Sequence, residues 1–500
     1  MPEDLNAAAT PPAPAVSKVS VVSVPTAAGT APVAAIILAA GKSTRMQSRL
    51  PKMLHPLCGI PMTAHVIRAC RAAGVARVVV VIGHAADEVR AGLGEDVEYA
   101  YQAKQQGTGD AVRSAHALLH GWNGTILALA GDVPLLGAES LRELIELQQR
   151  SQAVAALLTA QLDDPTGYGR ILRDSGDRVV GIVEQKNATS AQKAIKEWNP
   201  SIYAFDGPAL WSALEQVKRN PLTGEFYLTD TIGLLAEQQG EIEGLLLADA
   251  QDALGVNNRV ELAQAAAILR GRLLRALMLA GVTVTDPANT YVDVDVEVGQ
   301  DTVIEPNTFL YRGTRIGKDG NIGPLTRIEN STLGDDVRVV ASQIVGSVLE
   351  DGVKVGPFAN LRPGTHLGPG VKIGDFVEVK NAVFGARAQA SHLAYIGDAE
   401  VGAGTNIGAG TITCNYDGYR KHRTIIGENA FIGSNSTLIA PVTIGDRAFV
   451  AAASSVPCDV PEDALLISRP LPTIKEGWAA RNRAQQASGV LPSAKSKAAP

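Results

Sequence analysis

The sequence predicts an α/β domain followed by a parallel β-helix, and three observations carry the prediction. Strand-length apolar runs alternate with helical patterns from residue 34 to about 258; the apolar period then becomes six; and glycine supplies 50 of the 500 residues while aromatics make up only 4%. The first pattern is that of βαβ units and a mostly parallel sheet. The second is that of a solenoid whose aliphatic side chains stack inward, and abundant glycine meets its need for tight corners.

Taken in order, residues 1–33 are Ala, Pro, Val, Ser and Thr and begin Met-Pro-Glu-Asp, where a secretory leader needs a basic start. They are expected to form a disordered extension. In the first domain, 34–258, residues 35–38, 78–82 and 125–130 read as strands, and 61–73 and 85–93 as helices. Residues 259–281 keep helical spacing up to Gly281, a stop, and so read as a linker helix. The second domain, 282–480, holds three six-residue series: Val298 to Ile328, Val355 to Val379, and Ile426 to Val456. These series are out of phase, so inserted residues are expected at 380–402 and 413–425, emerging as loops where function usually sits. Residues 481–500 are expected to be a mobile tail.

Composition narrows the function. Lys plus Arg number 45 against 51 Asp plus Glu, a net charge of −6 without a long basic run, which argues against a nucleic-acid partner. No apolar stretch reaches the ~18 residues of a membrane span, so no stable membrane insertion is expected. The cysteines, Cys58, Cys70, Cys414 and Cys458, are too scattered for a disulfide framework or a CxxC zinc site, and a reducing cytoplasm fits them.

The first strand runs into Leu38-Ala39-Ala40-Gly41-Lys42-Ser43-Thr44-Arg45-Met46, with Pro51-Lys52 a few residues on. A glycine-rich loop there offers backbone N–H groups to an anion at the C-terminal edge of the sheet, and Arg45 and Lys52 add the charge to hold a triphosphate. This string resembles the signature of sugar-1-phosphate nucleotidyltransferases, with Ser43 where a second glycine is usual. Gln102, Gln106-Gly107-Thr108-Gly109, Gly131-Asp132, Tyr168-Gly169-Arg170, Glu184, Asn199 and Gly255-Val256-Asn257-Asn258-Arg259 follow in the order of the same family. With the hexapeptide half included, residues 34–480 resemble the bacterial bifunctional N-acetylglucosamine-1-phosphate uridyltransferases and glucosamine-1-phosphate acetyltransferases.

The resemblance implies a Rossmann-like nucleotidyltransferase domain, a left-handed parallel β-helix and a cytoplasmic homotrimer that makes the cell-wall precursor UDP-N-acetylglucosamine. It implies that Leu38, Ala39, Ala40, Gly41, Arg45 and Lys52 hold the phosphates of UTP, and that Gln102, Gly107 and Thr108 read the base. Ala130, Gly131 and Asp132 would close the nucleotide site; Gly169, Glu184 and Asn199 would bind the sugar of N-acetylglucosamine 1-phosphate. Asp132 and Asn257 would hold Mg²⁺, with oxygen donors of the kind a hard cation takes.

In the second domain the resemblance implies that His392 is the general base that takes a proton from the amine of glucosamine 1-phosphate as it attacks acetyl-CoA. Arg362, Lys380, Tyr395 and Asn406 would bind that sugar phosphate; Ala409, Asn415, Tyr416, Ser434, Ala452 and Arg469 would lie along the acetyl-CoA groove. Pro200-Ser201 replaces the expected Thr-Gly, Ser391 a glycine before the base, and Ala453 another glycine.

Three other readings compete. A nucleotidyltransferase with a merely structural or regulatory β-helix gives His392 and Lys380 no role. A zinc hydratase needs a close histidine pair that His366, His392 and His422 do not supply. A scaffold subunit has no need of Arg45, Lys52 and Asp132.

Overall fold

The structure, a computed structural model, describes residues 31–42 and 44–488. The extension expected over 1–33 lies outside the described residues up to residue 30, as does Ser43. The chain divides into two compact units at Gly271/Arg272, inside the helix Arg259–Leu279.

The first unit is built on a mixed ten-stranded sheet. Strands Glu98–Tyr101, Arg77–Ile82, Val33–Leu38 and Thr125–Ala130 lie side by side and parallel. Their Val- and Ile-rich runs suit strands covered on both faces. Ile36, Val79, Ile126 and Ala128 pack with helix residues Val112, Leu210 and Leu214 on one face. Ile37, Val80, Leu127 and Leu129 pack with Val66, Leu141 and Leu144 on the other. A mostly parallel sheet was expected, but the second half of the sheet is largely antiparallel. Ile202–Asp206 runs against both Thr125–Ala130 and Ala155–Gln161. Glu197–Asn199, Gly169–Arg173 and Val179–Val183 extend it antiparallel, while Ile242–Leu246 returns parallel to Ala155–Gln161. The helices of the first half enforce parallel crossovers; the short turn around residues 174–178 permits only reversal, whereas at 200–201 the chain kinks but keeps one direction along Ala155–Gln161.

The second unit is a stack of coils, each built from short strands on three ladders. One ladder has 11 strands; the other two are joined in a sheet of 17. Ile304 pairs with Ile322 and Ile432 with Val450, each one turn of three hexapeptides away. Inward-facing Ile316, Ile328, Leu361, Ile373, Val379 and Leu438 form one continuous core. Leu273, Leu274 and Leu277 of the connecting helix pack on the first coils.

The phase shifts between the hexapeptide series have a different cause at 380–402 from the expected insertion. Ile322–Val339, Ile373–Ala390 and Ala390–Ile407 are each one residue short of a full turn, and Val339–Val355 is two short. Residues 380–402 are thus regular coil in the strands Glu378–Phe384, Gln389–His392 and Tyr395–Val401. Ile407–Ile432 is longer than a turn by far more than the first coil, Val284–Ile304, and its excess emerges between Ile412–Cys414 and Thr424–Ile426 as a loop closed by a Tyr416–Lys421 bridge. The tail expected to be mobile over 481–500 begins inside an exposed helix, Trp478–Ala487, and residues 489–500 of it lie outside the described residues. Nothing in its sequence breaks a helix: Ala, Arg, Asn and Gln carry it.

Candidate active sites

In the first unit the parallel strand ends define the site. Gly131 N–H donates to Leu38 O at 3.0 Å, and a Cβ at Gly131 would stand 2.8 Å from that same oxygen, so only glycine allows this approach. The approach sets Asp132 beside the loop from Leu38 to Gly41. Val256 N–H donates to Asp132 O at 2.9 Å and brings Asn257 alongside. Lys52, only 7% exposed, donates to the Asp132 carboxylate and, at 3.0 Å, to Asn257 Oδ1. Arg45 donates to the same Oδ1 at 2.9 Å. One carboxylate and one amide oxygen therefore converge on a single buried ammonium, a donor pair that suits a hard cation completed by substrate oxygens and water. Among the described residues no group of three or more His, Cys, Asp or Glu side chains offers an all-protein metal cage.

Two cavities meet at this cluster. One of about 480 Å³ is lined by Leu38, Ala40, Gly41, Arg45, Lys52, Gln102, Gly107, Thr108, Ala130, Asp132 and Asn257. Its neighbour of about 310 Å³ shares Arg45, Ala130, Asp132, Ser201 and Asn257 and adds Tyr168 and Asn199. Of the expected residues, Ala39 lies within the loop and donates its N–H to Val81 O, Gly131 N–H donates to Leu38 O, and Gly169 pairs with Asn199 across the ladder. Glu184 follows the strand Val179–Val183, accepts from Thr229 Oγ1 at 3.0 Å, and has its carboxyl raised by burial. The Asn199 amide is already engaged, donating to Tyr203 Oη and accepting from Ser201 N–H. Ser201 has φ 61°, which explains why glycine is the expected residue there. Glu261, which the sequence reading did not single out, accepts from Asn257 N–H and Asn258 Nδ2 at 2.6 Å each and fixes the loop that carries Asn257.

In the second unit His392 ends the strand Gln389–His392, whose register sets it beside Asp375 one coil earlier. Nδ1 lies 2.5 Å from Asp375 Oδ1, and the ring is 61% exposed. Continuing the ladder Ala390–Ile407–Ile432–Val450 two residues onward puts His392, Ala409, Ser434 and Ala452 in one axial row. Asn435 N–H donates to Ala409 O, Ala453 N–H to Ser434 O, and Arg469 Nη1 to Ala452 O. Ala453 has φ 58°, again the conformation glycine takes freely.

Round the corner from His392, Arg362 and Lys380 share another row; Arg362 N–H donates to Val379 O, and Lys380 pairs with Gly397. Arg362 also pairs with Glu378 at 2.8 Å. Lys421, on the inserted loop, approaches Lys380 and lowers its pKa, with Arg362 adding to the effect. Such crowding of like charges is relieved by an anion. Asn415 donates to Asp398 and reaches Tyr395 Oη at 3.5 Å. Tyr416 lies on the loop and is 61% exposed. Asn406 stands apart: its ladder partners are Gln389 and Phe431, on a different face from Tyr395 and Lys380. Cys414 is half-buried beside this site as a free thiol.

These geometries belong to a nucleotidyltransferase domain joined to a hexapeptide-repeat transferase domain. Residues 35–219 match the MobA-like NTP transferase domain family, 346–381 the bacterial transferase hexapeptide (six repeats), and 423–456 the hexapeptide repeat of succinyl-transferase. The parallel ladders and these repeats are those of a left-handed parallel β-helix. The chain is 48% identical over 435 residues to the bifunctional protein GlmU of Brevibacillus brevis, covering 87% of this chain and 94% of that protein. It is 47% identical over 445 residues to that of Streptococcus agalactiae, covering 89% and 97%. The chain belongs to the GlmU family of bifunctional proteins.

Proposed function

We propose that the protein acetylates glucosamine 1-phosphate with acetyl-CoA and then transfers the uridylyl group of UTP to N-acetylglucosamine 1-phosphate, releasing pyrophosphate. The observation that carries this reading is that one chain holds both the Lys52–Asp132–Asn257 cluster and the Asp375–His392 pair.

In acetyl transfer, Arg362, Lys380 and Lys421 hold the sugar phosphate. Asp375 keeps a proton on His392 Nδ1, which leaves Nε2 free to accept the proton of the attacking amine. The new bond joins the amine nitrogen to the acetyl carbon; the carbon–sulfur bond breaks and coenzyme A leaves as its thiol. The row from His392 to Arg469 lines the acetyl-CoA groove.

In uridylyl transfer, Lys52 and Arg45 neutralise the phosphates while Gln102, Gly107 and Thr108 bind the base. The phosphate oxygen of N-acetylglucosamine 1-phosphate attacks the α-phosphorus and the bond to pyrophosphate breaks, with no covalent enzyme intermediate. Asp132 and Asn257 fit Mg²⁺, which when bound supplies charge neutralisation at the phosphates.

We further place the enzyme in the cytoplasm as a homotrimer. Leu325, Phe358, Phe376 and Leu393, each more than half exposed, recur along one corner of the β-helix and offer an apolar edge to a second copy. Among the described residues no helix is long and apolar enough to cross a membrane.

The test is a paired assay of the purified protein: coenzyme A release with acetyl-CoA and glucosamine 1-phosphate, and Mg²⁺-dependent pyrophosphate release with UTP and N-acetylglucosamine 1-phosphate. Both activities are expected. Pyrophosphate release alone from a folded sample would leave the β-helix a structural part and overturn the first half.

A further inference from the structure

We infer that Asp110 is a specificity-determining residue for the nucleotide base, acting through the orientation of the Gln102 side-chain amide. This inference rests on the uridylyl-transfer reading of the first unit.

Gln102 is 4% exposed and lines the larger cavity together with Gly107 and Thr108. Its Nε2 stands 2.7 Å from Asp110 Oδ2 and 3.3 Å from Gly107 O. Both neighbours are acceptors, and neither can donate. The end of the amide they surround must therefore be the NH₂ group. The carbonyl Oε1 is left as the polar end available to the cavity.

An acceptor fixed at that place selects among pyrimidines by their hydrogen-bonding edge. Uracil presents an N3–H donor between two carbonyls; cytosine presents an unprotonated N3 and an amino group. With Oε1 held outward, cytosine N3 meets another lone pair, and the mismatch leaves two buried acceptors unpaired. Gly107 O alone does not lock the amide, because its contact is long and a half-turn of the amide about χ3 loses only that bond. Asp110 supplies the lock.

The position of Asp110 is itself fixed. It lies in the first turn of the helix Thr108–Ser114, where a carboxylate is favoured. The start of that helix is pinned from across the domain: Gly109 N–H donates to Phe226 O at 2.8 Å and Leu228 N–H to Thr108 Oγ1 at 2.9 Å. Gly107 has φ 106°, and a Cβ there would come within 2.4 Å of Phe226 O. The loop therefore cannot drift to reorient Gln102 on its own.

The experiment compares kcat/KM for UTP and CTP in the full-length protein with N-acetylglucosamine 1-phosphate, for the wild type, Asp110→Ala, Asp110→Ser and Asp110→Asn. Asp110→Ala and Asp110→Ser should lower the UTP-over-CTP ratio about tenfold, mainly through a higher KM for UTP, as expected for one reoriented hydrogen bond. Asp110→Asn keeps the size of the side chain but can donate as well as accept, so it no longer dictates which end of the Gln102 amide faces it and should also lower the ratio. If Asp110→Ala does not fold, the Ser variant carries the test, since its shorter side chain cannot reach Gln102. An unchanged ratio in a folded Ala, Ser or Asn variant would overturn the inference while leaving uridylyl transfer in place. Absence of UTP-dependent pyrophosphate release from the wild type would instead overturn the reading on which it rests.

Discussion

Single residues decide the chemistry here through partners that sit far off in the sequence. In the proposed acetyl transfer Asp375 is a positioning residue, since a carboxylate 2.5 Å from His392 Nδ1 favours the proton on that nitrogen. Asp375→Asn is expected to lower kcat for acetyl transfer on the order of 100-fold, with KM for both substrates little changed and uridylyl transfer untouched. Steady-state kinetics of both reactions on one preparation check this. Lys380 gives a pH signature. Because Lys421 and Arg362 crowd it, its ammonium gives up a proton below the ordinary lysine range, and a bound phosphate favours the charged form. The KM for glucosamine 1-phosphate should therefore rise as pH climbs toward that lowered pKa. In Lys421→Met the alkaline rise should move to higher pH, while KM near neutrality increases about tenfold through the lost charge; KM measured from neutral to alkaline pH separates the two effects. Lys52 and Asp132 were legible in the sequence because each follows a recognisable strand or signature. Asp375 was not: its partner is seventeen residues away, and the pairing emerges only when the length of that particular coil is known. Glu261 acts through the loop that carries Asn257, whose course no periodicity predicts.

At the scale of elements, six-residue spacing made the β-helix readable, and alternating apolar runs did the same for the parallel half of the first sheet. What spacing could not separate was a shortened corner from an inserted loop, since either one shifts the phase of the aliphatics. Residues 380–402 are the first case and the loop after Cys414 the second. The antiparallel half of the first sheet was hidden for a related reason: Ile202–Asp206 has the same apolar character as the parallel strands it joins, and strand direction is set by the connections. Close coil packing also leaves little room for side chains at corners. A Cβ on Gly374 would lie 1.9 Å from the Ser391 carbonyl oxygen, backbone that cannot turn aside. Gly374→Ala should cost about 3 kcal/mol in the stability of the β-helix. Because it immediately precedes Asp375, acetyl transfer should fall as well; thermal unfolding alongside the coenzyme A assay tests both consequences.

For the whole molecule, the division into two units predicts that the two activities can be removed separately. The Lys52–Asp132–Asn257 cluster lies in the unit ending at Gly271, and the Asp375–His392 pair lies in the unit that follows. His392→Ala should abolish acetyl transfer and leave pyrophosphate release at its original rate, and Asp132→Ala should do the reverse. Loss of both reactions from either folded variant would contradict two independent sites.

The axial row from His392 through Ala409, Ser434 and Ala452 turns the solenoid into a ruler. Each coil advances it by one strand spacing, ~4.8 Å, so under the proposed acetyl transfer position along an extended acyl donor would be measured in whole coils. Reach between the reacting thioester and the far end of its carrier is then set by how many turns the chain makes, and a change in donor length is met by adding or removing a turn. The lengthened coil between Ile407 and Ile432 leaves that graduation intact, because its extra residues leave the stack sideways and the row passes from Ala409 to Ser434 in a single step.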